Sequence, residues 1–303
     1  MRKISAIIPL APDRELEILE NFEKFKDKIT LVIEKGINPS ANRNRGIKKA
    51  KTELIAFLNA HTIITENWVK EIEKFFKNNP EIDIVGGPQL TSKEEPLFVR
   101  ASGYALSSIF GAGEASTRYK PKNINLNANE KHITSANLIC KRRVLKKIKF
   151  DENLYPGEDP KFIADAKKEG FHVAYTPHIY VYHKRRRNFK DLIKQIFTYG
   201  IVRPQKESLK ETLKKPLFLV PSIFITYLAL LPTLALIHSI LLIPIIIYII
   251  STAFFGIYES TKNKDLFAIT LLPFLFLTIH ISYGIGFIYG TIKNGTKKNK
   301  QKT

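Results

Sequence analysis

Cysteine is almost absent from this chain: Cys140 is the single one in 303 residues. No intramolecular disulfide can form, and the composition suits a reducing compartment. Acidic residues are scarce, 28 against 48 lysines and arginines, for a net charge of +20. Charge is missing altogether from Leu217–Tyr258, a run of 42 residues, and again from Leu266–Ile292. Runs of this length exclude ordinary core helices and are predicted to span a membrane. One straight helix over the first run would be about 63 Å long, roughly twice a ~30 Å hydrocarbon core. A two-helix hairpin turning between Pro232 and His238 is expected instead, with a third span in the second run. No secretory leader is expected either. The apolar stretch in Met1–Leu10 is short, contains Pro9 and leads into Asp13-Arg14 with no small-residue cleavage site. It reads as a first β-strand, so the N-terminal part is expected to stay in the cytosol.

What is present sorts by region. Residues before Leu217 carry +15, and the tail from Lys293 adds +5. A domain this basic could attract nucleic acid. The adjoining apolar block instead favours anionic headgroups, phosphorylated lipids and nucleotides, and no nucleic-acid partner is expected. The Lys/Asn-rich tail is expected to be disordered.

The first two-thirds alternates short β-rich runs with helical ones. Ile4–Ile8, Ile29–Ile33, Glu53–Leu58 and Ile82–Val85 are predicted strands, separated by helices over Arg14–Phe25, Ser40–Lys51 and Asn67–Lys77. This repetition predicts an α/β fold with a doubly wound parallel sheet. Such sheets bind ligands at the carboxyl ends of their strands, which directs attention to Pro9, Glu34-Lys35-Gly36 and Asn59-Ala60-His61. From Gly87 to about Asn137 the pattern weakens into a Gly-, Ser- and Asn-rich stretch, expected to be a loop-rich excursion over the site. A strand at Ser135–Cys140, a helix at Pro160–Glu169 and strands at Phe171–Tyr175 and Ile179–Tyr182 follow. In Asn188–Gly200, Phe189, Leu192, Ile193, Ile196 and Phe197 form one apolar stripe at helical spacing. Beside Lys184-Arg185-Arg186-Arg187, that stripe predicts a helix lying in the membrane interface.

Four motifs stand in order: Ser40-Ala41-Asn42-Arg43-Asn44-Arg45-Gly46, Phe57-Leu58-Asn59-Ala60-His61, Gly157-Glu158-Asp159-Pro160 and Tyr182-His183-Lys184-Arg185. Over about residues 3–200 this order resembles the family 2 glycosyltransferases of GT-A fold, in particular the membrane-attached polysaccharide and succinoglycan-type branch. The resemblance implies a mainly parallel sheet that binds a nucleotide-diphosphate sugar, followed by transmembrane helices. It divides the chain into a catalytic domain (1–187), an amphipathic juxtamembrane segment (188–216), a transmembrane region (217–292) and a basic tail (293–303).

An inverting transfer needs a carboxylate to take the acceptor proton and positive charge for the leaving diphosphate. The resemblance gives Asp159 the first role, with Glu158 supporting it. Asp159 before Pro160 also reads as a helix N-cap. Pro9, Glu34, Arg43, Asn44, Asn59 and Arg185 fall at donor-binding positions, Glu34 near the base and Arg43 near the diphosphate or base. Asn59-Ala60-His61 sits where the family has Asp-x-Asp. Asn59 keeps an acceptor oxygen without the charge that attracts a cation. His61 and His183 could still ligate a divalent ion, Mn²⁺ or Mg²⁺, with imidazole favouring Mn²⁺. Equally, both imidazoles fit ordinary hydrogen-bonded residues at strand ends. The acceptor is expected to be membrane-bound and polyprenyl-linked, with the protein integral to the cell membrane. A polyprenyl-phosphate sugar transferase, or a membrane scaffold that binds sugar nucleotides, are the alternatives. Gly286 and Gly290 form a small-xxx-small pair suited to close helix contact.

Overall fold

A computed structural model describes residues 3–16, 19–206 and 216–300. It divides into two compact units: Met1–Ser92 with Glu114–Lys184, and Lys93–Gly113 with Arg185–Thr303.

The first unit is built on a six-stranded sheet. Its strands are β1 (Ile4–Leu10), β2 (Ile29–Lys35), β3 (Leu54–Leu58), β5 (Ile84–Gly86), β7 (Asn137–Lys141) and β8 (Val173–Tyr175), in the order β2-β1-β3-β7-β5-β8. β1 runs parallel to β2 and β3, and β5 runs parallel to β8. β7 is antiparallel to both β3 and β5, so the sheet is mixed and mainly parallel. Alternation places Ile4, Ala6, Ile8, Leu54, Ala56 and Leu58 in one core layer and Ile7, Ile55 and Phe57 in the other. Both faces are buried, as a doubly wound sheet requires. Around the sheet lie α1 (Leu19–Glu23), α2 (Pro39–Lys49), α3 (Trp68–Asn78), α6 (Arg142–Lys147) and α7 (Glu158–Lys168). A second, three-stranded sheet joins β4 (Thr62–Ile64), β9 (Val181–His183) and β6 (Gln89–Leu90) in the order β4-β9-β6. Trp68 is fully buried and ties the layers together, its indole N–H donating to Asn137 Oδ1 at 3.1 Å.

Among the described residues of the second unit, three helices are long and apolar enough to cross a membrane: Val220–Ile237, Ser239–Asn263 and Leu272–Lys293. The first two meet at His238, as the expected hairpin requires, while Pro232 stays inside its helix. The expected excursion resolves into helices. α4 (Leu97–Ser107) and α5 (Ile109–Ala112) belong to this unit, although the expected boundary at residue 187 places them in the catalytic domain. Asp265 accepts from Arg100 Nε at 2.7 Å and from the Tyr104 hydroxyl at 3.2 Å. His280 is held by the Phe110 carbonyl and the Tyr248 hydroxyl.

The amphipathic segment forms α8 (Phe189–Lys206), with Leu192 and Ile196 buried. It packs along the last apolar helix through glycines: a Cβ on Gly286 would fall on the Phe197 carbonyl, and one on Gly290 on that of Ile201. Part of the predicted stripe is thus spent on a helix partner, while Ile193 remains 45% exposed. Gly286→Leu is expected to lower the melting temperature in detergent by several degrees, an overpacking cost of about 1–3 kcal/mol. Ile285→Leu, at an exposed neighbour, serves as the control that should leave it unchanged.

Candidate active site

The carboxyl ends of β1, β2 and β3 lie side by side, with Pro9 opposite Glu34 across the first pair. The turn after β2 is fixed by hydrogen bonds that leave the chain little freedom. Gly36 N–H donates to Leu10 O, and the Asn42 amide donates to Gly36 O at 2.8 Å and Leu10 O at 3.3 Å. Asn38 caps α2 by accepting from Ser40 and Ala41 N–H, and Pro39 opens the helix. Glu34 is buried between two cations, 2.7 Å from Lys49 Nζ and 3.4 Å from Arg45 Nε.

Arg43 and Asn44 are neighbours in sequence but leave the helix in different directions. The Arg43 side chain is only 4% exposed. Its Nη1 donates to Glu158 Oε1 at 2.9 Å and lies 4.0 Å from Asp159 Oδ1, while Nη2 donates to Asn59 Oδ1 at 3.4 Å. The guanidinium also lies over the Phe150 ring, 5.2 Å from its centroid. One buried cation therefore joins the second and third motifs. Asn44 instead pairs with both backbone groups of Phe150 and donates to Glu152 Oε1 at 2.8 Å, which pins the loop leading toward α7.

Gly157 precedes α7 at φ 124°, a conformation open to glycine and strained for other residues. Its N–H donates to Glu158 Oε2 at 2.9 Å. The helix begins at Glu158, so Asp159 stands within the first turn and is not the N-cap that the Asp-Pro pair suggested. Its carboxylate is therefore not spent on capping, and Oδ1 accepts no hydrogen bond among the described residues. Glu158 is buried. That burial first, and the Asp159 carboxylate second, push its carboxyl up to about 7 against the opposing pull of Arg43.

Asn59 is folded into a tight turn, its N–H donating to Thr62 Oγ1 at 3.3 Å and its carbonyl accepting from Thr62 N–H at 3.0 Å. Antiparallel pairing sets Thr62 opposite His183, and Lys184 N–H donates to His61 O at 3.2 Å. The fold thus brings the neighbourhoods of the two histidines together. A residue not anticipated from the sequence joins them. Arg14, in the loop after β1, places Nη1 3.2 Å from His61 Nε2. Arg185, expected at the donor phosphate, is the first residue of the second unit's C-terminal segment.

The side chains do not assemble the expected Mn²⁺ or Mg²⁺ site. Among the described residues no three of His, Cys, Asp and Glu converge in a ligand cluster. The Asn59 oxygen faces one guanidinium, and the His61 nitrogen faces another. A divalent cation favours anionic or unengaged donors, and here Asn59 and His61 adjoin positive charge, while His183, the other expected ligand, lies opposite Thr62.

Comparison with known proteins agrees with the architecture. Residues 11–149 match the family described as Glycosyl transferase family 2. The pre-mycofactocin glycosyltransferase of Mycobacterium tuberculosis is 25% identical over 163 residues, 54% of this chain but 33% of that protein. This chain thus spans about a third of that relative's length. A Methanococcus voltae protein is 25% identical over 84% of this chain and 75% of its own length. It is the dolichyl N-acetyl-alpha-D-glucosaminyl phosphate 3-beta-D-2,3-diacetamido-2,3-dideoxy-beta-D-glucuronosyltransferase. Among solved structures, a mannosyltransferase of Pyrobaculum calidifontis in complex with GDP-Man and Mn²⁺ superposes with a TM-score of 0.57 at 13% identity. It covers 93% of this chain and 87% of that one, and the likeness is one of fold. The same architecture accommodates a divalent ion in that protein. With a mainly parallel sheet and three apolar helices in place, the fold is of GT-A type, and residues 11–149 are the part of the chain similar to the family 2 glycosyltransferases.

Proposed function

We propose that the protein is an inverting glycosyltransferase that moves a sugar from a nucleotide-diphosphate donor to a membrane-bound, polyprenyl-linked acceptor. The observation that carries this is the Asp159 carboxylate. It is partly buried, free of capping, and adjoins an Arg43 that also reaches the Asn59 turn. In the proposed reaction the acceptor hydroxyl gives its proton to Asp159 as its oxygen attacks the anomeric carbon. The bond from that carbon to the diphosphate breaks on the opposite side. Pro9, Glu34 and Asn59 would line the nucleotide at the strand ends. Arg43 and Asn44 would act as positioning residues, one on the carboxylate pair and the other on the 150–152 loop. Arg185, with the neighbouring Arg186 and Arg187, would meet phosphate at the membrane surface.

Support for a lipid-linked acceptor comes from the three apolar helices and from the Methanococcus voltae relative, which is named for a dolichyl-linked substrate. The test is a screen of sugar nucleotides with the full chain in lipid, read by nucleoside diphosphate release and by the product linkage. A glycosidic bond is expected. A phosphodiester would mean that the lipid phosphate itself is the acceptor, and the absence of release from every donor would leave only a binding role.

The catalytic sheet is proposed to face the cytosol, where nucleotide sugars are made, from the cell membrane. With three spans, His238 then lies outside and Lys262 inside. In a Cys140→Ser background, His238→Cys is expected to react with an impermeant thiol reagent on intact cells, and Lys262→Cys only after lysis. The reverse pattern would invert the orientation.

A further inference from the structure

We propose that Arg14 supplies the positive charge on the donor's diphosphate that a carboxylate-held divalent ion would otherwise supply, with His61 holding its guanidinium in place. The inference rests on the glycosyltransferase reading above. β1 and β3 are neighbouring parallel strands, so the segments leaving their carboxyl ends emerge together. That crevice is where a doubly wound sheet receives its ligand. Arg14 leaves the first strand through a turn closed by its own N–H on Ala11 O at 3.1 Å. Asn59-Ala60-His61 leaves the second, and the two meet at the 3.2 Å contact between Arg14 Nη1 and His61 Nε2. The donating guanidinium requires Nε2 to be the acceptor, so the ring proton lies on Nδ1.

Charge supports the same assignment. Asn59 contributes no negative charge to hold a metal. Two acids of the neighbourhood are already committed, Glu158 to Arg43 and Glu34 to Lys49 and Arg45, and Asp159 stands with the Arg43 guanidinium 4.0 Å away. Arg43 is buried beneath Glu158, whereas Arg14 is exposed and can reach a ligand. A guanidinium offers a planar fork of donors suited to phosphate oxygens. In the transfer, the pair of electrons from the breaking carbon–oxygen bond goes to the terminal phosphate oxygen of the nucleoside diphosphate. Arg14 neutralises the charge that develops there.

The test measures UDP and GDP binding to the full chain in lipid by calorimetry, with chelator and with Mn²⁺, alongside nucleoside diphosphate release. The wild type is expected to bind one of them in chelator, with a Kd within about threefold of that in Mn²⁺, and to keep at least half its turnover. Arg14→Gln is expected to weaken binding in chelator at least tenfold and to lower kcat by about a hundredfold, the scale of losing one charge-stabilising donor. Arg14→Lys should recover part of both. In an Arg14→Gln, Asn59→Asp double variant, binding should return only when Mn²⁺ is added. Wild-type turnover abolished by chelator and restored by Mn²⁺ would overturn the proposal and leave the transferase reading intact, as would unchanged binding by Arg14→Gln. Failure of the wild type to bind either nucleotide under both conditions would overturn the two together.

Discussion

Asp159→Asn is expected to lower transfer by about a thousandfold, within the 10²–10⁴ range for a positioned general base, while nucleoside diphosphate affinity stays within twofold. The amide is nearly isosteric with the carboxylate. Asp159 stands in the first turn of α7 without capping it, so the helix loses little. The 4.0 Å separation from Arg43 makes the ion pair with Asp159 the weaker of the two that this arginine forms. What disappears is the group able to take the acceptor proton. A loss of less than tenfold, about 1.4 kcal/mol, would remove Asp159 from that role. A large loss of nucleotide affinity would make it a donor ligand.

The second large effect concerns the cation beneath that carboxylate. Arg43→Met is expected to destabilise the first unit by about 3–5 kcal/mol, because it leaves Glu158 buried without its ionic partner. Adding Glu158→Gln to Arg43→Met should recover part of the loss, since removing both members of a buried pair costs less than removing one. The same pair sets a pH dependence. Above pH 7 Glu158 is ionised and shares the guanidinium. As pH falls through about 7 its carboxyl, raised by burial and by Asp159, takes up a proton. Arg43 then has only Asp159 left as an anionic neighbour, which draws the guanidinium onto the oxygen that is to take the acceptor proton. The kcat is therefore expected to drop as pH falls through 7. Glu158→Gln should hold a low, flat kcat across that range, about tenfold or more below wild type at pH 8. A Glu158→Gln profile that keeps the acid limb would assign the limb to another group.

Much of this arrangement was legible in residue order. The β-rich runs Ile4–Ile8 and Glu53–Leu58 read as strands, and the strand-helix rhythm predicts which strand ends carry the site. Direction was not legible. Ser135–Cys140 reads as a strand, but the antiparallel insertion of β7 between β3 and β5 depends on partners about 80 and 50 residues away. α4 was missed because Ala101-Ser102-Gly103 and Ala105 replace the large apolar residues that give a helix its visible period. Arg43 and Asn44 were assigned alike as donor ligands. Successive helical residues are turned about 100° apart, enough to send one beneath the carboxylates and the other to Phe150. Arg14 carried a weak signal, a lone arginine past the end of β1, and its meaning depends on His61, which lies 47 residues further on.

The chain passes between its two units three times, after Ser92, after Gly113 and after Lys184. This has a practical bearing on how the enzyme can be produced. A polypeptide shortened just ahead of the apolar helices would retain α4 and α5 but lose Asp265, Phe276 and His280. Those residues hold Arg100, Tyr104 and Phe110. Their abandoned surfaces would be sticky in water, so a soluble form calls for excision of 93–113 and a short linker, as well as removal of the C-terminal part. Detergent-free biochemistry on this protein therefore depends on an internal deletion, since a stop codon alone would leave that helical insert unpartnered.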